Sequence, residues 1–239
     1  MKSRDLLGTD LIIESKPGKA FNLDTVVLSD FVRLPKNTHL VFDFGCGNAA
    51  IMLYLSHKFK GFIKGFEIQS HRVLSAIQNI KLNQLEDRLI VVEVDLKSHV
   101  EPKLADVIVS NPPFFKVNLN SKRSLDSDME IAKHEVHLNL EDLVYAARKN
   151  INHGGLFFMI HKADRLEEII STLNKYDFRV KRLRFVHPTI NHEPNQVLIE
   201  AQFKAKPHMI VMPPLIQYES GTIYTKEMQS IYEGRSYIK

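Results

Sequence analysis

The sequence predicts an α/β fold in which a mostly parallel β-sheet is covered by helices on both faces. Short apolar segments rich in β-branched residues alternate with helical patterns along most of the chain, and this alternation is typical of parallel sheets. Two consecutive strand patterns near the end of the chain indicate an antiparallel pair. Polar residues follow four successive predicted strands, and ligands of such sheets gather at this carboxyl edge. The fold class therefore also predicts where a site should lie.

The composition is that of an ordinary globular protein. The chain has 239 residues, of which 44% are hydrophobic and 25% are charged, and this length is enough for one large domain. We expect a single domain over residues 1–239. It would consist of an N-terminal hairpin and helix (1–38), an α/β core (39–204) and a C-terminal extension (205–239).

The sequence also argues against several classes of protein. No apolar run approaches the roughly 20 residues that span a bilayer, and the N-terminus lacks the pattern of a secretory signal. One cysteine, Cys46, excludes an internal disulfide and a multi-cysteine zinc site. A cytoplasmic protein is the simplest interpretation. The net charge of +4 permits a polyanionic partner without requiring one.

Hydrophobic periodicity and turn residues predict the individual elements. Strands are expected at Leu11–Ile13, His39–Phe44, Phe59–Ile68, Leu89–Val94, Leu104–Ser110, Leu156–His161, Phe178–Val186 and Gln196–Phe203. Helices are expected at Thr25 to about Leu34, Ala49 to about Lys58, Ser70 to about Leu85, Leu140–Asn150, Ala163–Lys175 and around Lys226–Tyr232. Asp24 and Ser70 are candidate N-caps, and Pro35 would end the first helix. The polar stretch Lys116–Lys133 is expected to be a functional or disordered loop.

The tetrapeptide Asn111-Pro112-Pro113-Phe114 follows the fourth strand of the predicted core. Two prolines have no backbone N–H and fix φ near −65°, so the chain can continue neither as a central strand nor as a helix. The result is a rigid spur with an amide at its base and an aromatic ring at its tip. That pair suits a planar substrate bearing an exocyclic amine. A simple turn followed by a core aromatic residue is the alternative.

A second motif, Asp43-Phe44-Gly45-Cys46-Gly47, lies between the first strand of the core and its helix. The glycines permit a tight turn and close approach of a ligand. A dinucleotide site would add a third glycine, but Asn48-Ala49-Ala50 follows, and an acid before the glycines repels a pyrophosphate. The acid suits a cationic or amino-bearing ligand. At the ends of the next two strands, Glu67 is placed for a ribose diol and Asp95 for the amine of an adenine.

Together these residues resemble the S-adenosylmethionine site of class I methyltransferases. The proline motif resembles the (Asp/Asn)-Pro-Pro-aromatic motif of enzymes that methylate amino groups on planar nitrogen. The segments 21–28, 133–143 and 213–218 look like the bacterial tRNA(Val) adenine-6-amino methyltransferase family. Where that family often has tyrosine, this chain has Phe114, which retains stacking but lacks the hydroxyl group.

The resemblance implies a single Rossmann-like methyltransferase domain with a mostly parallel seven-stranded sheet and a final antiparallel strand. It implies methyl transfer from S-adenosylmethionine to the 6-amino group of an adenine in tRNA, beside the anticodon of tRNA(Val), with no membrane partner and no obligatory metal. Implied catalytic residues are Asn111, Pro112, Pro113 and Phe114. Implied cofactor-binding residues are Asp24, Asp43, Gly45, Gly47, Glu67, Ile68, Asp95 and Leu96.

The chemistry follows from the amine itself. The exocyclic amine of adenine is conjugated with its ring and is a poor nucleophile. The Asn111 amide oxygen and the Pro112 carbonyl would accept its two hydrogens and free its lone pair, which is catalysis by positioning and electrostatics. The base would have to leave its stack, and Phe114 would replace the lost stacking.

Other interpretations remain open. The substrate could be a guanine amine of ribosomal RNA or a glutamine side chain of a protein, and the chain could also be an inactive RNA-binding module. Cys46 is interpreted as a space-filling residue of the loop. The run His134-Glu135-Val136-His137 is one residue too short for the H-E-x-x-H motif, in which two histidines at positions i and i+4 of a helix bind zinc. A basic cluster either contacts RNA or guards a sheet edge: Lys175, Arg179, Lys181, Arg182 and Arg184.

Overall fold

The computed structural model describes residues 2–6, 8–15, 23–112 and 138–234. The strands are β1 (Lys2–Asp5), β2 (Ile12–Ser15), β3 (Leu40–Phe44), β4 (Phe62–Glu67), β5 (Leu89–Glu93), β6 (Ala105–Ser110), β7 (Ile151–Lys162), β8 (Phe178–His187), β9 (Gln196–Phe203), β10 (Ile210–Val211), β11 (Leu215–Ile216), β12 (Tyr218–Ser220) and β13 (Ile223–Tyr224). The helices are α1 (Leu23–Phe31), α2 (Ala50–Lys58), α3 (Ser70–Leu82), α4 (Leu140–Asn150), α5 (Leu166–Lys175) and α6 (Lys226–Tyr232), with a 3₁₀ turn at Ala163–Arg165. None of the described helices is long and apolar enough to cross a membrane.

The central sheet has the predicted topology. Its seven longer strands lie in the order β5-β4-β3-β6-β7-β9-β8. The first five are parallel to one another, and β9 is antiparallel to both of its neighbours. Two short strands, β10 and β11, extend the sheet by pairing in parallel with β8. The expectation of a mostly parallel α/β sheet with a final antiparallel strand is therefore confirmed.

Each face of the sheet buries its own core. Along β3 the side chains alternate, so that Val41 enters one core while Phe42 and Phe44 enter the other. The first core packs the hairpin β1–β2 and helices α1, α2, α3 and α6 against the sheet. The second core packs α4 and α5 against the opposite face. Because both faces are covered, the central strands read as nearly continuous apolar runs.

The ends of two helices differ from the prediction. Asp24 is not an N-cap but lies in the first turn of α1, which ends at Phe31 and not near Pro35. The ammonium group of Lys58 donates hydrogen bonds to the carbonyls of Ser29 and Val32 and thereby satisfies this helix end. Ser70 is also not a cap.

The first residue of α3 is Ser70, and the N-cap position is occupied by Gln69 without a side-chain cap bond. The Ser70 hydroxyl donates instead to the carboxylate of Glu93 on β5, at 2.5 Å. The backbone N–H of Gln69 is bound by the carboxylate of Glu67. The start of α3 is therefore held by the acidic residue that ends β4.

Strand β7 begins earlier than the pattern predicts. It starts at Ile151, directly after α4, and not at Leu156, and it continues through Gly154 and Gly155. The register between β6 and β7 shifts between Ala105 and Val107. Gly154 has a φ of +77°, so the glycines form an irregular part of the strand and not a loop.

Two arginines of the basic cluster have structural partners, which argues against RNA contact by this pair, and the expectation that they guard a sheet edge is wrong. Arg182 binds the fully buried Glu200 at 2.6 Å, and its side chain is 12% exposed. Arg184 is 5% exposed and binds Glu227 at 2.6 Å as well as the carbonyl of Pro213. Strand β8 is not an edge, because β9 lies on one side of it and β10 and β11 on the other. The loop Lys116–Lys133 lies outside the described residues.

Candidate active site

The candidate site lies at the carboxyl edge of four adjacent parallel strands. Strand β3 stands between β4 and β6, with Phe44 paired to Phe66 on one side and to Ser110 on the other. Asn111 follows β6 directly, Glu67 ends β4, and Asp95 follows β5 by two residues. The fold therefore brings the ends of these strands together, as their sequence positions predict.

The glycine loop, residues 45–49, connects β3 to α2. Gly45 and Gly47 have φ values of +73° and +56°, which disfavour any other residue. A Cβ atom on Gly45 would meet no atom within 4 Å, so the backbone there faces open space. The N–H groups of Gly45 and Cys46 both donate to the carbonyl of Phe66, at 2.9 and 3.1 Å. The loop is thus fixed to β4 and presents its backbone to an approaching ligand.

Glu67 connects the glycine loop to the start of α3. Its carboxylate accepts the N–H of Gly47 at 3.1 Å, that of Ile68 at 2.9 Å and that of Gln69 at 3.0 Å. The side chain is 6% exposed. Carboxylate oxygens can accept about two hydrogen bonds each, so Glu67 retains capacity for a further donor.

Asp43 is a buried acid whose carboxylate has no hydrogen-bond partner among the described residues. The residue is 0% exposed, and both side-chain oxygens are unsatisfied. Burial, and then the negative charge of Glu67, raise the pKa of Asp43 to about 8. A buried polar group without a partner is costly. A bound group that donates hydrogen bonds or carries positive charge would satisfy both oxygens.

Asp95 and Leu96 follow β5. One carboxylate oxygen of Asp95 accepts the N–H of Lys97 at 2.9 Å, and the residue is half-buried. Leu96 is 5% exposed and packs in the core that contains Phe44 and Phe66. The polar residue of this pair therefore lies nearer to solvent than its apolar neighbour.

Asn111 is held by a residue that the sequence analysis did not single out. Its side-chain nitrogen donates to the hydroxyl of Thr25 at 3.4 Å. Thr25 is buried on α1, inside the segment 21–28 that carries part of the resemblance. Pro112 is buried, whereas Pro113 and Phe114 lie outside the described residues.

Asp24 precedes Thr25 and faces the ends of β7 and β9. Burial raises the pKa of its carboxyl, against the opposing effects of a hydrogen bond with Gln196 and the charge of Lys162. Lys162 and Gln196 are paired across β7 and β9. Asp24 therefore lies beside the Asn111 end of the site, away from the glycine loop.

A small pocket lies beside Pro112. Its lining residues are Pro112, Leu138, Asn139, Leu140, Leu143, His161 and Arg165. His161 is 2% exposed, and its Nδ1 accepts the N–H of Lys162 at 2.8 Å. Burial, together with the charge of Arg165, lowers the pKa of His161 to about 4, so the ring is neutral and carries its proton on Nε2. No sequence signal pointed to this histidine.

Cys46 is a packing residue of the loop. It is 6% exposed, and burial followed by the charge of Asp43 raises its thiol pKa well above the ordinary value. A Cβ on Gly65 would lie 2.8 Å from its sulfur, so the chain is closely packed here. A neutral thiol in such a position does not act as a nucleophile.

Metal ligands are not grouped in the described part of the chain. No cluster of three or more histidine, cysteine, aspartate or glutamate side chains there could hold an ion. The run His134-Glu135-Val136-His137 falls outside the described residues.

The sequence and the fold are both similar to those of known methyltransferases. A family model described as "Methyltransferase small domain" matches residues 24–177. A tRNA1(Val) (adenine(37)-N6)-methyltransferase of Phocaeicola vulgatus is 27% identical over 187 residues, which are 78% of each protein. One of the same name from Porphyromonas gingivalis is 30% identical over 66% of this chain and 63% of its own length. The predicted resemblance to this family is confirmed.

Solved structures agree with the fold. The crystal structure of a predicted O-methyltransferase from Agrobacterium tumefaciens superposes with a TM-score of 0.69, covering 89% of this chain and 97% of its own, at 18% identity. The crystal structure of a putative class I S-adenosylmethionine-dependent methyltransferase from Listeria monocytogenes superposes with a TM-score of 0.56, covering 79% of this chain and 62% of its own, at 12% identity. At such identities the comparison concerns the fold alone, and it confirms the Rossmann-like fold.

Proposed function

Because this chain belongs to the methyltransferase small domain family, we propose that it methylates the 6-amino group of an adenine in tRNA with S-adenosylmethionine. The substrate is the adenine beside the anticodon, at position 37, that the names of its relatives specify. One observation carries the proposal. Asn111, bound to Thr25, stands at the same sheet edge as the unsatisfied Asp43 and the loop-bound Glu67.

The acceptor groups of the site fit S-adenosylmethionine. The two unsatisfied oxygens of Asp43 require hydrogen-bond donors or positive charge, and this cofactor carries an ammonium and a sulfonium group. Glu67 has acceptor capacity for a ribose diol. Asp95 uses one oxygen for Lys97, and its carboxylate suits the amine of the cofactor's adenine. The open backbone at Gly45 allows close contact.

The chain's own residues prepare the target amine. Bound S-adenosylmethionine supplies a methyl group activated by a positively charged sulfur. The Asn111 nitrogen is engaged by Thr25, so its oxygen is the end that accepts a hydrogen of the target amine. The carbonyl of Pro112 accepts the second hydrogen. These two bonds would release the nitrogen lone pair from the ring toward the methyl group, without a strong base. On transfer the cofactor would leave as a neutral thioether, and the methylated nitrogen would lose one proton to solvent.

The tRNA contributes a base that leaves its stack. Adenine 37 enters beside Asn111, and Phe114 stacks on its plane in place of the neighbouring bases. The small cost of removing an already exposed loop base favours the anticodon arm over duplex RNA. The net charge of +4 favours binding to a polyanion.

The test uses labelled S-adenosylmethionine with separate pools of tRNA, ribosomal RNA, DNA and protein. We expect label in tRNA, as N6-methyladenosine at position 37 of a valine tRNA, and none with Asn111→Ala. Label in guanine of ribosomal RNA or in glutamine would assign a different substrate. Binding of tRNA and cofactor without transfer to any pool would identify an inactive RNA-binding module.

A further inference from the structure

Asn79 joins the N-terminal hairpin to the glycine loop. This residue of α3 is 0% exposed. Its side-chain oxygen accepts the N–H of Glu14 on β2 at 2.7 Å, and its nitrogen donates to the carbonyl of Glu14 at 3.2 Å. The same nitrogen donates to the carbonyl of Asn48 in the glycine loop at 3.0 Å. One buried amide therefore binds two segments that are separate in the chain.

The bond to Asn48 fixes an unfavourable part of the loop. Ala49 has φ 70° and ψ 19°, the left-handed region, which is unfavourable for an L-residue. Such a conformation persists only where the surroundings hold it. The peptide between Asn48 and Ala49 is held at both ends, because the Ala49 N–H donates to the carbonyl of Cys46 at 2.9 Å while Asn79 binds the Asn48 carbonyl.

We infer that Asn79 is a positioning residue for cofactor binding, which holds the glycine loop in its binding shape. The inference rests on the proposed function, in which that loop contacts S-adenosylmethionine. The N-terminal hairpin then does more than pack against the sheet. Its residue Glu14 fixes the orientation of the Asn79 amide through the backbone N–H and the backbone carbonyl. Without this amide, Ala49 is free to leave the left-handed region, and α2, which begins at Ala50, loses its fixed start.

Asn83 provides a matched control. It lies one helical turn after Asn79, and its side chain binds the N–H of Ile12 at 2.8 Å and the carbonyl of Ile12 at 2.7 Å. Its remaining bond within the described residues is to the backbone carbonyl of Asn79. Asn83→Ala therefore loosens the hairpin in the same way as Asn79→Ala does, but it leaves the bond to the glycine loop in place.

The experiment measures the affinity for S-adenosylmethionine by calorimetry and, without cofactor, hydrogen exchange of the Ala49 amide. We expect Asn79→Ala to weaken binding about tenfold, the effect of about one lost hydrogen bond, and to accelerate Ala49 exchange. Asn83→Ala should change binding less than about twofold and leave Ala49 exchange unchanged, with a similar loss in melting temperature. If Asn79→Ala does not fold, Asn79→Ser is a smaller, uncharged replacement whose single hydroxyl hydrogen cannot replace both bonds that the amide nitrogen donates, and the same two measurements are made on it.

Equal effects of the two variants on binding and on exchange would overturn the inference and leave Asn79 as an anchor of the hairpin. The exchange measurement needs no cofactor. If the wild-type protein failed to bind S-adenosylmethionine, the proposed function would fall, while the comparison of Ala49 exchange would still decide whether Asn79 holds the loop.

Discussion

The side-chain nitrogen of Asn111 lies 3.4 Å from the hydroxyl oxygen of Thr25, and the two residues are 86 positions apart in the chain. An amide that turns by 180° exchanges its oxygen for its nitrogen, and in this structure the nitrogen is the end that faces Thr25. Thr25 is buried on α1 and engages the nitrogen. The oxygen is therefore the end available to accept a hydrogen bond from the target amine.

Thr25→Ala is expected to lower kcat about tenfold or more, because the amide loses the contact that sets its orientation. Thr25→Ser keeps the hydroxyl and should restore most of the rate. Affinity for S-adenosylmethionine should change little in either variant. Steady-state kinetics on the tRNA, combined with calorimetry, measures both quantities. A loss that serine fails to restore would assign Thr25 to packing of α1.

Asn111→Ala is expected to abolish methyl transfer while cofactor affinity stays near that of the wild type. Asn111 is placed to bind the target amine, whereas the cofactor's anchoring groups meet Asp43, Glu67 and Asp95. Asn111→Asp keeps an acceptor oxygen and should retain part of the activity, in keeping with the (Asp/Asn)-Pro-Pro form of the motif. Turnover of the alanine variant near the wild-type rate, at saturating tRNA, would remove the proposed mechanism.

Glu67→Ala is expected to weaken cofactor binding by about 1–3 kcal/mol, the cost of charge-assisted hydrogen bonds. The variant also frees the N–H groups of Gly47, Ile68 and Gln69, so the melting temperature should fall as well. Glu67→Gln retains one acceptor oxygen, so its cofactor affinity should lie between that of the wild type and that of Glu67→Ala. Calorimetry that shows the same affinity in all three proteins would mean that the ribose is bound elsewhere.

Asp43 makes stability depend on pH. Its pKa is 3.8 in its ordinary state and about 8 in the folded protein, so between these values the folded state holds a proton that the unfolded state has lost. The stabilisation that this proton provides is complete below pH 4 and is lost as the pH rises to about 8. Asp43→Asn should abolish this slope, and denaturant unfolding from pH 5 to 8 measures the difference.

The same carboxyl links cofactor binding to proton release. A cationic cofactor favours the charged form of Asp43, so binding near pH 7 should release up to one proton from the wild type and none from Asp43→Asn. Calorimetry in two buffers of different ionisation enthalpy detects the proton. Identical binding enthalpies in both buffers for both proteins would show that Asp43 does not ionise on binding.

The sequence predicted those parts of the site that depend on local pattern. Strand periodicity placed Glu67 and Asn111 at the ends of two strands of one parallel sheet, and side chains at the ends of parallel strands share one edge. It could not reveal that Thr25 contacts Asn111, since this depends on how α1 packs across the sheet. It also missed Asn79, because a buried asparagine in a helix has no sequence pattern that distinguishes it from an exposed one.

The basic cluster shows the limit of reasoning from charge. Arg182 and Glu200 are opposite each other on β8 and β9, and their pairing can be seen only once the register is known. The Arg182 guanidinium also lies 4.7 Å from the centre of the Phe31 ring and donates to the Phe31 carbonyl at 3.2 Å. Arg33 donates to both carboxylate oxygens of Glu200 from a side chain that is 57% exposed. Arg182 therefore belongs to the packing of α1 on the sheet.

Arg182→Ala is expected to destabilise the protein by about 3–5 kcal/mol, because it leaves the buried Glu200 with only its exposed partner. Arg33→Ala, which removes the more exposed partner of the same carboxylate, should cost less than Arg182→Ala, because solvent already screens this guanidinium. Neither change should alter the slope of tRNA affinity against salt, since neither guanidinium releases counterions from a phosphate. Unfolding in denaturant and tRNA binding over a salt series measure the two effects. A stable Arg182→Ala protein with a flattened salt slope would contradict this account and return Arg182 to the RNA-binding surface.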